Sequence, residues 1–215
     1  MFTFTFMLLP LAVIYYYLNS EKKHSLLTIC LGVLSGFMVF AVKEFFSHSH
    51  RIIPYSFSEN FLFLFFSEAF FPVMVLFAVY FFISKDSVDF KLREFFPLTA
   101  SFYCVYVPYI VLISPESKTA FEIFAKPILF LSMLSSITIG IEMIIKKTSP
   151  KVFIPSGCAL ILISLMMPSI TEALFLTYNS TWICALLTFI SVIVPAFLYL
   201  FPGFQIFTQK KHLTD

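Results

Sequence analysis

Glu68 is the only formally charged residue in FLFLFFSEAFFPVMVLFAVYFF, residues 61–82. Glu172 sits in a second apolar run, ILISLMMPSITEALFL, and Lys126 in a third, FEIFAKPILFLSML. Carboxylates in apolar surroundings suit proton transfer, and a lysine between two of them can pair both. Glu122 stands one helical turn before Lys126, and Glu44 adjoins Lys43, so each acid can pair with its neighbouring lysine. His48-Ser49-His50 is an HxH, whose two imidazoles can share a metal with Glu44 or Glu59 as third ligand. A metal ion is the one cofactor these residues suggest. The other reading is an interfacial histidine pair that binds nothing.

Familiar catalytic motifs are missing. The chain has no HExxH, no GxSxG and no Walker lysine. The last apolar run, WICALLTFISVIVPAFLYLF, has no lysine to carry a retinal Schiff base. The net charge of +2 and the five glycines argue against nucleic-acid and nucleotide partners. Cys30, Cys104, Cys158 and Cys184 stand singly in apolar runs and read as small hydrophobes.

The elements that position these groups follow from composition. The 215 residues are 60% hydrophobic and 12% charged, with 31 phenylalanines and a mean hydropathy of +0.94. Soluble domains carry about 25% charged residues. A chain of this length buries only about 70% of its surface on folding, too little to hide this much apolar area from water. Lipid is the solvent that fits. Runs of about 17–25 apolar residues cross a hydrocarbon core, and backbone polar groups there must pair within helices. Seven such runs are expected: 2–18, 25–47, 59–84, 95–114, 121–145, 153–178 and 182–202. The expected fold is an all-α, polytopic helical bundle in one domain, residues 1–215, joined by short polar connectors. Pro72, Pro108, Pro127, Pro168 and Pro195 fall in or near these spans, where each removes a backbone donor.

Ten of the fourteen lysines and arginines fall in the connectors after spans one, three and five and in the tail, while Arg51 and Lys118 lie on the other side. The positive-inside rule then places the N-terminus outside and the C-terminus in the cytoplasm. The first run is followed by Lys22 and Lys23 and preceded by no basic residue, so it reads as an uncleaved span. On this topology Glu68 lies roughly 13 Å and Glu172 roughly 9 Å below the outer surface, with Lys126 at similar depth. The expectation is one outward-opening polar cavity in which Lys126 bridges the two acids. In the alternative, Lys126 and Lys43 snorkel to the outer interface beside Glu122 and Glu44. Gly32 and Gly36 form a GxxxG, GVLSG, that can seat a neighbouring helix.

The order of PLAVIYYYLNSEKK, FSEAFFPVMVLF, SFYCVYVPYIVLI and ILISLMMPSITEALFL followed by NSTWI resembles the PrsW-type intramembrane proteases. These are small bacterial polytopic proteins that assemble glutamates and histidines from several spans. The resemblance implies residence in a bacterial cytoplasmic (inner) membrane and sets Glu68 in the family's EExxK motif and Glu172 near its last acid. It also implies lost catalysis. Ser67 replaces the other glutamate, Phe71 or Pro72 the lysine, and the histidines are missing.

Three functions follow as expectations. The first is a non-catalytic membrane protein that binds the lipid bilayer and a membrane-protein partner. The second is a residual protease using Glu68 and Glu172. The third is a small-solute transporter or transporter subunit with Lys126 and the glutamates as binding groups.

Overall fold

The computed structural model describes residues 24–47, 56–83, 88–113, 121–145 and 150–200. All secondary structure among these residues is helical. Helix α1 spans His24–Ser47, and α2, Phe57–Leu64, runs through a π-helical turn, Phe65–Phe70, into α3, Phe71–Ile83. Helix α4 spans Val88–Ile113. A second π-helical turn, Phe121–Ala125, leads into α5, Lys126–Ile145, and is followed by α6, Pro150–Tyr178, and α7, Thr181–Leu200.

Five segments are long and apolar enough to cross a membrane: Leu26–Glu44, Phe57–Phe81, Lys126–Ile144, Ile154–Tyr178 and Thr181–Leu198. They match five of the expected spans to within a few residues at each end. The first expected span, 2–18, lies outside the described residues. Helix α4 is not among the five, and it begins at Val88 rather than Phe95. The reason is local. Asp89, Lys91, Arg93 and Glu94 end the apolar run but do not oppose helix, so the backbone ladder extends past the hydrophobic boundary. Helix α6 likewise starts at Pro150, three residues before the apolar boundary, because proline tolerates a first helical position where no N–H partner is needed.

Local signals set other ends. Ser56 caps α2, its hydroxyl accepting from the Glu59 amide at 3.5 Å, as the sequence Ser-Phe-Ser-Glu favours. Asn179 takes a positive φ of 49° between α6 and α7, and its amide donates to the Phe175 carbonyl at 2.9 Å. Asparagine accepts this left-handed position at low cost.

Helices α4 and α5 form the interior. Leu98, Phe102, Tyr103, Leu129, Phe130 and Ile137 are almost completely buried. Helix α1 lies against α4, α6 against α5, and α7 against α5 and α6, while the first π turn rests on α6 and α3 reaches α1 and α4. The outside remains apolar: Trp182, Leu186, Phe189 and Phe197 of α7 and Leu34 and Phe37 of α1 are exposed, as a lipid-facing surface requires.

Glycine sets the two tightest crossings. A Cβ on Gly32 would collide with Ser101 Oγ and meet the Leu98 carbonyl oxygen at 2.6 Å, and one on Gly36 would meet Val105 Cβ at 2.8 Å. The GxxxG of α1 therefore seats α4 within the same chain. Gly140 and Gly157 face each other across α5 and α6, and a Cβ on Gly157 would lie 2.7 Å from the Gly140 carbonyl oxygen. Small residues of this kind let helices approach closely where lipid supplies no hydrophobic drive for association.

Gly157→Ala must push α6 from α5, because the obstruction is backbone rather than a movable side chain. It is expected to cost about 1–3 kcal/mol, while Cys158→Ala, at an exposed neighbour, leaves stability unchanged. Denaturant unfolding in detergent micelles, read by circular dichroism, checks the contrast.

Candidate functional site

The site begins with two prolines. Pro72 cannot offer an N–H to the carbonyl four residues earlier, that of Glu68, and its ring crowds that carbonyl. The helix answers by widening. Residues Phe65–Phe70 form a π turn, and the Phe71 amide bonds to the Phe66 carbonyl, five residues back. The Glu68 carbonyl instead accepts from Tyr106 Oη of α4 at 2.9 Å. Pro127 stands in the same relation to the second π turn, Phe121–Ala125, and its own carbonyl accepts from Tyr103 Oη at 3.1 Å. Tyr106 thus fastens the first irregular segment, and Tyr103, one turn away on α4, fastens the start of α5 just past the second. Each segment carries or adjoins a charged residue, Glu68 in the first and Lys126 immediately after the second.

Those charges meet. Lys126 Nζ lies 2.5 Å from Glu172 Oε1 and 2.9 Å from Glu68 Oε2. The first contact is a hydrogen bond, and the second is an ion pair without hydrogen-bond alignment. Lys43 Nζ of α1 reaches Glu68 Oε1 at 3.4 Å and lies over the rings of Tyr106 and Tyr109, 5.6 and 5.9 Å from their centroids. The result is an alternating row, Glu172–Lys126–Glu68–Lys43, that draws one group each from α6, α5, the first π turn and α1. The four side chains are between 6% and 16% exposed.

The energetics favour the row as a unit. One charge at the centre of a bilayer costs about 2.5–3.5 kcal/mol on insertion scales. Two positive and two negative groups in contact offset this cost for one another. Removing one member leaves its partner buried and uncompensated.

The structure thus brings together Glu68, Lys126 and Glu172, and Lys126 bridges the acids as expected. Lys43, set beside Glu44 in the alternative reading, reaches across to Glu68. Lys43 projects from α1 toward the Tyr106 ring of α4 and the Glu68 carboxylate of the first π turn. Glu44 is half-buried at the end of α1. Lys126 turns to Glu172 and Glu68, while Glu122 lies within the second π turn and its side chain is outside the described residues. His48 and His50 are also outside them. Among the described residues, no three of His, Cys, Asp or Glu are grouped to hold a metal ion.

Chemically, the arrangement pairs carboxylates with ammonium groups. Tyr106 and Tyr103 are the members that sequence reasoning missed. The signal that could have found them is their one-turn spacing on a span with no acid, opposite two spans with proline next to charge. No protein-family model, curated protein or solved structure matches the chain, so the site is read from its own geometry.

Lys126→Met is expected to destabilise the protein by about 3–5 kcal/mol. Adding Glu172→Gln to it should restore part of that loss, giving a coupling of about 1–3 kcal/mol in a double-mutant cycle. Reversible unfolding in micelles measures both, and strictly additive losses would show that the contact carries no energy. Tyr106→Phe, which orphans the Glu68 carbonyl, should cost about 1–3 kcal/mol by the same assay.

Proposed function

We propose that this chain is a multipass integral membrane protein that carries out no hydrolysis, in which the row Glu172–Lys126–Glu68–Lys43 ties four helical segments together inside the bilayer. The observation that carries this reading is the Lys126 ammonium held between Glu68 and Glu172. A hydrolytic site needs a carboxylate open to water and substrate. Here each acid is engaged by lysine.

The finer reading has seven spans, the N-terminus outside and the C-terminus in the cytoplasm of a bacterium, with the chain in its inner membrane. The lysine and arginine asymmetry supports the orientation. The PrsW-type resemblance supports descent from an intramembrane protease whose catalysis is lost, with Glu68 and Glu172 retained and paired by Lys126. The lipid bilayer is the partner that the exposed apolar faces of α1 and α7 fit. A small-solute carrier is the second reading, and the two π turns favour it, since such turns recur at functional sites and let a helix shift register.

Fusions to alkaline phosphatase and to green fluorescent protein should report an outside location after residues 49 and 117 and a cytoplasmic one after residues 86 and 148 and at the C-terminus. A reversed or non-alternating pattern contradicts the topology. Single-span reporter peptides in proteoliposomes should remain intact. Cleavage that disappears in Glu68→Gln or Glu172→Gln would overturn the non-hydrolytic reading.

A further inference from the structure

Lys126 is shared by two acids whose surroundings differ. Its Nζ meets Glu172 Oε1 at 2.5 Å and Glu68 Oε2 at 2.9 Å, so both carboxyl groups sit on one nitrogen. They also come within hydrogen-bonding reach of each other. Two carboxylates only accept, so a bond between them exists only when one carries a proton. Glu68 has a second ammonium, Lys43, at 3.4 Å. By Coulomb's law, cations at 2.9 and 3.4 Å together hold a negative charge more firmly than one at 2.5 Å. Glu172 relies on Lys126, whose charge it divides with Glu68. The remaining neighbours do not reverse this order. Helix α1 adds Glu44, half-buried beside Lys43, and α4 adds Tyr106 and Tyr109, whose rings lie under the Lys43 ammonium. Glu59 of α2 is exposed at the start of that helix. Helices α3 and α7 carry no charged residue, and Cys184 of α7 donates to the Thr171 carbonyl. The side chain of Glu122, in the second π turn, is outside the described residues.

We infer that Glu68 and Glu172 form a binding site for one exchangeable proton, which Glu172 takes up while Glu68 stays ionised between its two lysines. Two neighbouring acids in unequal surroundings divide the roles of proton carrier and fixed charge. Uptake adds one O–H bond at Glu172 and raises the charge of the row by one. Lys43 stands one turn from the end of α1 and keeps 16% of its side chain exposed, and Glu68 keeps 15%. The row therefore has an open edge, where the added charge is least costly and through which a proton exchanges. A proton needs only a hydrogen-bonded path, not the room a peptide substrate needs. An intramembrane acid that gains and loses one proton beside a fixed ion pair is the element that proton-coupled membrane proteins use. The inference rests on the non-hydrolytic reading of the row. Reporter-peptide cleavage lost in Glu172→Gln would remove that reading, whereas an acid pair that binds no proton, without cleavage, removes only the inference.

The test titrates the full wild-type chain in lipid bilayers with 13C-labelled glutamate. Carboxyl carbon shifts are read by solid-state NMR, and the two signals are assigned by their loss in Glu172→Gln and Glu68→Gln. As pH is lowered with the protein folded, the Glu172 carbon should move through its full protonation shift while the Glu68 carbon holds its carboxylate value. Glu68→Gln removes the neighbouring negative charge and leaves Lys126 to Glu172 alone. It should lower the Glu172 midpoint by about one pH unit, a tenfold loss of proton affinity. Lys43→Met leaves each acid with the same single ammonium, so both carbons should move together and at higher pH. A first proton on Glu68 in wild type overturns the proposal, as does simultaneous movement of both carbons there. A Glu172 midpoint that is unchanged in Glu68→Gln, or a chain that unfolds before either carbon moves, overturns it too.

Discussion

An ammonium group pinned between two carboxylates organises this molecule. Lys126, Glu68 and Glu172 come from segments far apart in the chain, and in lipid none of the three has water to solvate it. Each charge therefore needs the others in place, which makes the position of α5 relative to α6 and to the first π turn a single joint constraint. Lys43 extends the constraint to α1. The apolar exterior does not supply this selectivity, because lipid chains solvate phenylalanine on one face as well as on another.

The irregular backbone and the charges depend on each other. Pro72 releases the Glu68 carbonyl, and Pro127 follows the residue that bridges the acids. The π turns change which way Glu68 and Lys126 project, and α4 donates tyrosine hydroxyls to the Glu68 carbonyl in the first turn and to the Pro127 carbonyl just past the second. Helix α4 can reach both because it lies at the centre, close to α1 through Gly32 and Gly36. Most other buried hydroxyls, among them Ser101, Thr138 and Thr188, are satisfied by carbonyls of their own helices, so the polar contacts that tie helices to one another centre on the charge row and the two tyrosines.

Much of this was readable in the sequence, and the remainder was hidden for definable reasons. Spans are visible because lipid imposes length and apolarity together, and the described helices fall where those runs lie. The common depth of Glu68, Lys126 and Glu172 made their meeting an expectation, since depth follows from residue count. The contact of Lys43 with Glu68 was hidden because lateral direction depends on helix rotation, which a nearly uniform run of phenylalanine, leucine and valine does not encode. The π turns escaped for a related reason. Proline announces a break in the ladder but not whether the helix kinks or widens. Gly140 and Gly157 lie on different helices, so their face-to-face approach has no spacing motif to reveal it, unlike GVLSG.

The central claim is that Lys126 joins Glu68 and Glu172 within the membrane. Solid-state NMR of protein in lipid bilayers, with 15N-labelled lysine and 13C-labelled glutamate, measures it directly by dipolar recoupling. The account predicts that Lys126 Nζ couples to two carboxylate carbons, one signal vanishing in Glu172→Gln and the other in Glu68→Gln. Coupling of Lys126 to Glu122 in their place would contradict it.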